Sequence, residues 1–236
     1  IDVKVHATFV FALVWGAFIW GGGQPQGWLY GAFLTLVLFA VVLAHEFGHA
    51  FAAQHYGIKV QDIVLLPIGG IARLTRMPEK PAQELVVALA GPAVNLALAL
   101  ALTPVLLLGM ALGRVTGNGF GLPAIAEPGL FNLVAFAVFV NVSLLIFNMF
   151  PAFPMDGGRV LRALLALKLP YSRATRIAAL VGRTLAIGFG VYALFTGNIG
   201  LALVAMFVFF GAGAENQEVA QRESLAGLRV GEVIDN

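Results

Sequence analysis

The sequence predicts an all-α polytopic membrane protein with six transmembrane helices and a small membrane-associated β-sheet between the second and third helices. Hydrophobic residues make up 60% of the 236 residues and charged residues only 11%. Soluble domains carry about 25% charged residues. Six apolar stretches approach the roughly 20 residues that cross a bilayer as a helix. The connection after the second stretch instead combines β-prone runs with turn residues, which predicts the sheet.

The six predicted spans are apolar runs bounded by polar or turn-forming residues. They cover approximately residues 4–21, 28–56, 82–112, 130–149, 174–195 and 199–215. The second and third runs exceed the length of one crossing, so we expect these helices to tilt or to extend beyond the hydrocarbon. Thr196-Gly197-Asn198 separates the last two runs and predicts a tight turn.

Positive charges are concentrated on one side of this predicted topology. Six crossings place both termini on the same side as the connections 57–81 and 150–173, and these segments together contain most of the lysines and arginines. The connections on the opposite side contain one basic residue, Arg114. The positive-inside rule therefore predicts that the N and C termini are cytoplasmic.

The connection after the second span predicts two short strands. Residues 58–66 and 71–75 have strand-like composition, and they flank the turn-forming run Pro67-Ile68-Gly69-Gly70. An open edge of such a sheet can bind an extended peptide by strand addition. The alternative is a surface hairpin that only links two helices, and the residue pattern supports both interpretations.

The remaining composition excludes several classes of function. The chain contains no cysteine, so disulfides and thiolate ligands are excluded, and any zinc must be held by His, Asp or Glu. A net charge of +2, without a basic run interleaved with aromatic residues, argues against a nucleic-acid partner. We treat residues 1–215 as one transmembrane domain, and residues 216–236, where the chain turns polar, as a cytosolic tail.

The second predicted span contains the sequence His45-Glu46-Phe47-Gly48-His49. Histidines four residues apart lie on one face of a helix, one turn from each other, so both imidazoles can bind one Zn²⁺. Glu46 stands beside them, where a carboxylate can take a proton from metal-activated water. Ionisable residues inside a membrane are costly and need a chemical reason. The pattern therefore predicts two ligands and the general base of a catalytic zinc site.

The depth of this site follows from helix geometry. If the helix ends near Gly57, His49 lies about 12 Å from its cytosolic end at the usual rise per residue. The active site is then expected in the membrane near the cytosolic side. Water must reach it through a cavity lined by protein.

A catalytic zinc site usually has three protein ligands, so one ligand must come from elsewhere in the chain. Asp156 is the leading candidate. It follows Pro151 and Pro154, which end the fourth span, and it precedes Gly157 and Gly158, which allow a tight turn. Asp156 also fits the N-cap of the helix that follows, and the two roles are compatible.

Two further polar residues of the predicted spans are interpreted as structural. Asn95 lies within the third span, where an amide is expected to hydrogen-bond across the helix bundle. Glu215 lies at the cytosolic end of the sixth span and is expected to be a solvated helix terminus.

The order of these motifs resembles the site-2 protease family of intramembrane zinc metalloproteases, of the peptidase M50 type. The hallmarks of that family are HExxH on one membrane helix and an Asn…Pro-x-x-Asp-Gly pattern near the end of a later one. The matching residues are His45, Glu46, His49, Asn148, Pro154, Asp156 and Gly157, with the proline two residues before the aspartate. Leu66-Pro67-Ile68-Gly69-Gly70 and Gly91-Pro92 also resemble family segments, so the resemblance covers approximately residues 4–215.

This resemblance implies one Zn²⁺ per chain, bound by His45, His49 and Asp156, with Glu46 as general base and Asn148 near the substrate carbonyl. It implies an endopeptidase that hydrolyses peptide bonds within transmembrane segments of membrane proteins, as in regulated intramembrane proteolysis. The expected partners are a protein substrate with a transmembrane segment and the lipid bilayer.

Two other functions fit part of the pattern. A prenyl-protein type membrane metalloprotease also has HExxH on a membrane helix, but that family takes its third ligand from a glutamate on a later helix. A convincing glutamate of that kind is missing from this sequence. A zinc transporter would place several His and Asp residues along a path, whereas the polar residues here gather at one depth.

The last residues of the chain resemble the beginning of a CBS domain, a nucleotide-sensing module found after the membrane core in some members of the family. The resemblance covers residues 228–236. An adenine nucleotide is therefore an expected partner only if a CBS domain follows. The alternative is a disordered tail of ordinary composition.

Overall fold

The structure is a computed structural model that describes residues 1–21, 25–67, 69–76, 78, 80–114 and 128–226. Helices make up most of it. The described elements are, in chain order, β1 (Asp2–Val5), α1 (Phe9–Trp20), α2 (Trp28–His55), β2 (Val60–Leu66), β3 (Gly69–Leu74), α3 (Pro81–Ala111), α4 (Leu130–Asn148), α5 (Asp156–Ala166), α6 (Tyr171–Thr196) and α7 (Ile199–Ala226). A short 3₁₀ turn at Pro25–Gly27 precedes α2.

Within the described ranges, four helices are long and apolar enough to cross a membrane, namely α2, α3, α4 and α6. They occupy the second to fifth predicted spans. The first and sixth predicted spans correspond to shorter apolar helices, α1 and the segment Ile199–Glu215 of α7. The chain is thus a mainly helical membrane protein. That it crosses the membrane six times stays a prediction.

The start of the chain differs from the prediction of a helix from residue 4. The first residues form β1, which pairs in parallel with β2, with Asp2 opposite Asp62 and Val5 opposite Leu65. Since β2 also pairs antiparallel with β3, the sheet has three strands in the order β1-β2-β3. The predicted small sheet with two strands between the second and third helices is therefore present, but the N-terminal strand adds a third strand that was not predicted.

A buried carboxylate explains why β1 joins this sheet. Asp62 of β2 accepts hydrogen bonds from Lys4 Nζ at 2.6 Å and from Arg73 Nε at 2.5 Å. Lys4 lies on β1 and Arg73 on β3, so one carboxylate links all three strands. These two hydrogen bonds hold the pKa of Asp62 well below its usual range, and the bond from Arg73 has the larger effect. Asp62 therefore stays charged at neutral pH and keeps both partners.

The described residues form two compact units. The first comprises residues 1–78 and 89–147. In its core, Leu34 of α2 packs in one apolar cluster with Phe136 of α4, and both side chains are fully buried. This cluster joins α2, the helix with the HExxH motif, to α4 within the first unit.

The second unit comprises residues 79–88 and the chain from Asn148 onward. α6 ends at Thr196, and Gly197 has a left-handed φ of 65° that allows the predicted tight turn into α7. α7 continues to Ala226, so its helical backbone passes the predicted domain boundary at residue 215. The CBS-like residues 228–236 lie outside the described part of the chain.

Candidate metal centre

α2 carries the two predicted histidine ligands close together. His45 and His49 are 5% and 7% exposed, and their Nε2 atoms lie 3.0 Å apart. Zinc–nitrogen bonds are about 2.0–2.1 Å long, so one ion fits within bonding distance of both atoms. α2 ends at His55, six residues after His49, which reduces the distance to the helix end to about 9 Å. The two imidazoles on this membrane-length helix are therefore close enough to bind one zinc ion together.

Glu46 contacts the edge strand β3. Its Oε2 atom accepts a hydrogen bond from the backbone N–H of Ala72 at 3.0 Å. Gly70 lies beside the same side chain, because a Cβ atom at this glycine would be 2.7 Å from Glu46 Cγ. The sheet thus orients the carboxylate next to the histidine pair.

α3 passes close behind the two histidines at Gly91. A Cβ atom at this position would lie 2.3 Å from His49 Nε2 and 2.7 Å from His45 Nε2. Gly48 allows the same close approach from α2, since a Cβ atom there would be 2.6 Å from the carbonyl oxygen of Ala90. Both glycines are therefore required for α2 and α3 to meet at the histidine pair.

A buried amide network lies behind His45. The Nδ1 atom of His45 is 2.5 Å from Asn95 Oδ1, and Asn95 Nδ2 donates to Asn141 Oδ1 at 3.2 Å. Both asparagines are fully buried. Sequence reasoning gave Asn95 only a cross-bundle hydrogen bond and missed Asn141. The spacing of Gly91 and Asn95, four residues apart on one helical face, is the signal that links Asn95 to the site.

Asp156 and Asn148 belong to the second unit. Asp156 is buried and is the first residue of α5, whereas Met155 occupies the N-cap position. The interpretation of Asp156 as an N-cap is therefore wrong, although a negative charge in the first helical turn is still favourable. Asn148 is the half-buried last residue of α4.

Glu215 is not the solvated helix terminus that the sequence predicts. It accepts a hydrogen bond from Arg162 Nη1, and Arg162 Nε also donates to Glu84 Oε1 at 2.8 Å. The guanidinium of Arg162 is 1% exposed and lies over the rings of Phe153 and Tyr171, at 4.9 and 5.0 Å from the ring centres. This Arg162 cluster joins α5, α6 and α7 to the first turn of α3.

The geometry of this site is typical of one class of protein. A buried histidine pair lies on a membrane-length helix, and a glutamate one residue after the first histidine contacts a sheet edge. Two imidazoles with a neighbouring carboxylate on one helix are typical of HExxH metalloproteases. The structure therefore has the features of a membrane-embedded metalloprotease.

Comparisons with known proteins identify the family. The model of peptidase family M50 matches residues 33–189. Zinc metalloprotease MJ0392 of Methanocaldococcus jannaschii is 37% identical over 219 residues, which are 93% of this chain and 59% of that protein. The solved site-2 protease from Methanocaldococcus jannaschii is 36% identical with a TM-score of 0.61, over 91% of this chain and 90% of that one. The chain belongs to peptidase family M50 and is a site-2 protease homologue.

Proposed function

We propose that the chain forms the catalytic core of a zinc endopeptidase that hydrolyses peptide bonds within transmembrane segments of membrane proteins. The observation that carries this proposal is the buried pair of His45 and His49, 3.0 Å apart at Nε2, with Glu46 beside it on a membrane-length helix. Membership of peptidase family M50 supports zinc as the metal. A transport site would not need a general base at this position.

We assign one Zn²⁺ to His45, His49 and Asp156. Two imidazoles and one carboxylate are a usual donor set for catalytic zinc, which keeps a fourth position open. When bound, the ion supplies a Lewis acid that lowers the pKa of a water molecule and polarises a carbonyl group. Asp156 is buried at the start of α5, and its carboxylate supplies an oxygen donor of the kind that catalytic zinc binds together with two histidines.

The remaining chemistry is assigned to two residues of the chain. Glu46 takes a proton from the attacking water and then gives it to the departing amine. The hydrogen bond from Ala72 N–H to Glu46 Oε2 orients the carboxylate for this transfer. Asn148 donates a hydrogen bond from its amide to the substrate carbonyl oxygen as negative charge develops there.

We also propose that β3 binds the unwound substrate as an additional strand. A transmembrane helix must open before cleavage, and its freed backbone groups then need new partners inside the membrane. β2 is flanked on both sides, so the open edges of the described sheet belong to β1 and β3. β3 is the edge that contacts Glu46, through Ala72, which favours this strand as the binding edge.

Crosslinking distinguishes the two edges. The sequence has no cysteine, so Ile71→Cys introduces a single thiol on β3, where Ile71 is 50% exposed. We expect it to form a disulfide with a cysteine near the cleavage point of a bound substrate, as measured on non-reducing gels. Val5→Cys on β1, where Val5 is 58% exposed, is the matched control. Equal crosslinking from both positions would contradict binding at β3.

The proposed orientation has cytoplasmic termini and an active site in the membrane nearer the cytosolic side. The distribution of lysine and arginine supports it. The distance of about 9 Å from His49 to the end of α2 supports the shallow depth. The thiol introduced by Val5→Cys should react with a membrane-impermeant maleimide only from the cytosolic side. Labelling from the opposite side would contradict the proposed orientation.

Cleavage by the reconstituted protein tests the function directly. The full chain in proteoliposomes is incubated with a panel of single-span membrane proteins, with and without a zinc chelator. We expect cleavage within a transmembrane segment, loss of cleavage with chelator, and recovery when Zn²⁺ is restored. Zinc flux across the liposome membrane without any cleavage would instead support a transporter.

Replacement of Asp156 tests the third ligand. We expect Asp156→Ala to lose most of the bound zinc, because two histidines alone leave the coordination incomplete. The zinc content of the purified protein, measured by elemental mass spectrometry, is the readout. Asp2→Ala, at an exposed aspartate of β1, is the control and should keep the zinc. An unchanged zinc content in Asp156→Ala would exclude this residue as a ligand.

A further inference from the structure

Asn95 is an unusual residue for the middle of a membrane-length helix. It is fully buried on α3, between apolar residues. A buried amide without hydrogen-bond partners is unfavourable, because it has lost its hydrogen bonds to water. The amide of Asn95 has partners on two other helices, His45 on α2 and Asn141 on α4. A polar chain therefore crosses three helices of the first unit and ends at the histidine.

One backbone carbonyl sets the direction of every hydrogen bond along the row of side chains from Asn141 through Asn95 to His45. Asn141 Nδ2 lies 2.8 Å from the carbonyl oxygen of Ala137, which can only accept a hydrogen bond. The amide NH₂ of Asn141 must therefore face Ala137, and its Oδ1 must face Asn95. Oδ1 in turn requires a donor, so Asn95 turns its own NH₂ toward Asn141.

The same reasoning reaches the histidine. With its NH₂ facing Asn141, Asn95 presents Oδ1 to Nδ1 of His45 at 2.5 Å. An amide oxygen only accepts, so Nδ1 must carry the proton, and in the neutral ring Nε2 then carries the lone pair. Nε2 is the atom that lies 3.0 Å from Nε2 of His49. The network thus selects the tautomer that a metal ligand needs.

α3 supports the pair in a second way. Gly91 precedes Asn95 by four residues and so lies on the same face of α3. A Cβ atom at Gly91 would lie 2.7 Å from His45 Nε2. On one face of α3, Gly91 therefore leaves space beside Nε2 of His45, and Asn95 bonds to Nδ1 of the same ring.

We propose that Asn95 is a positioning residue which, together with Asn141, fixes the Nδ1-protonated tautomer of His45 and presents its Nε2 atom to the zinc ion. This inference rests on the proposed function, because it assigns His45 as a zinc ligand. Hydrogen bonds of this kind to ligand histidines typically contribute about 10–100-fold to metal affinity. Asn95 does not itself touch substrate or metal in this assignment.

The tautomer of His45 is measured by NMR of the metal-free, detergent-solubilised full chain labelled with ¹⁵N-histidine. With four histidines in the chain, the His45 signals are identified by their absence in His45→Gln. We expect the proton on Nδ1 in the wild type and a loss of this preference in Asn95→Leu. A wild-type His45 protonated on Nε2 would overturn the inference, whatever the variants do.

Zinc affinity, measured by competition with a chromophoric chelator, is the second readout. We expect Asn95→Leu to bind zinc about 10–100-fold more weakly. Asn95→Asp keeps the acceptor oxygen for His45 Nδ1 but loses the donor to Asn141 Oδ1, so it should bind zinc more tightly than Asn95→Leu. Asn141→Leu should give a smaller loss than Asn95→Leu, because it releases the amide of Asn95 without removing it. An Asn95→Leu protein with wild-type affinity would overturn the inference.

The matched control is Thr103→Val, a substitution on the same helix. Within the described ranges the Thr103 hydroxyl donates to the carbonyl oxygen of Ala99 in its own helix, so its loss should leave both readouts unchanged. If Asn95→Leu does not fold, Asn141→Leu together with the wild-type tautomer still decides the question. Neither readout needs a substrate, so a failure to cleave would count against the proposed function and not against this role of Asn95.

Discussion

Replacement of Glu46 by alanine is expected to slow peptide cleavage by about 10²–10⁴-fold while the zinc content stays at the wild-type level. Glu46 is the proposed general base, and its carboxylate is held by the N–H of Ala72. His45 is held by Asn95 and lies against His49 at Nε2, so the metal ligands should keep their positions when Glu46 is replaced. A loss of activity with retained metal is therefore the expected signature.

Gln54→Ala is the control for this substitution. Gln54 lies on α2, about two turns beyond Glu46, and it is exposed. Its replacement also introduces an alanine into α2, but at a position away from the histidine pair, so the rate of cleavage should be unchanged. Zinc content is measured on each purified protein alongside the rate. Wild-type cleavage by Glu46→Ala would exclude Glu46 as the base, and a loss of zinc would assign it to metal binding instead.

Replacement of Arg162 by methionine is expected to lower the free energy of unfolding by about 3–5 kcal/mol. Arg162 is 1% exposed, and its Nε atom bonds to Glu84 Oε1 at 2.8 Å. Removing the guanidinium leaves the Glu84 carboxylate buried without its positive partner, which is the costly step. Glu215 loses the same partner. Denaturation with increasing SDS, followed by circular dichroism, measures the change.

Two further variants test the cause of this loss. The double substitution Arg162→Met with Glu84→Gln removes both buried charges, so it should recover most of the stability. Arg176→Met, at an exposed arginine of α6, should change the stability by less than about 0.5 kcal/mol. An Arg162→Met protein as stable as the wild type would show that the Arg162 cluster does not hold the second unit together.

Local patterns in the sequence were sufficient for the features that depend on neighbouring residues. Hydropathy located α2, α3, α4 and α6 to within a few residues, because a bilayer imposes a length on each apolar helix. The spacing of His45 and His49 implied a shared helical face, and the structure brings their Nε2 atoms to 3.0 Å. These predictions needed only the helical repeat and the energetic cost of polar groups in a membrane.

Predictions failed where a partner distant in sequence decided the conformation. Lys4 and Val5 adjoin a long apolar run and fall within the first predicted span, but pairing with Val64 and Leu65 places them in a strand. Glu215 has the sequence environment of a solvated helix end, yet Arg162, 53 residues earlier, covers it. No short-range pattern records such contacts, so sequence reasoning assigned both segments by their local composition.

The sequence by itself determined that two histidines and a glutamate lie together on one membrane helix as a candidate metal site, since that inference rests on local periodicity and on the cost of charge in hydrocarbon. The order of the HExxH motif and the later Asp-Gly motif supplied the resemblance to the site-2 protease family. Only the tertiary structure decided how His45 is held. Asn95 and Asn141 lie 50 and 96 positions beyond it, and their hydrogen bonds form because α2, α3 and α4 pack together. A buried amide must find partners wherever the packing places them, and that choice is made in three dimensions.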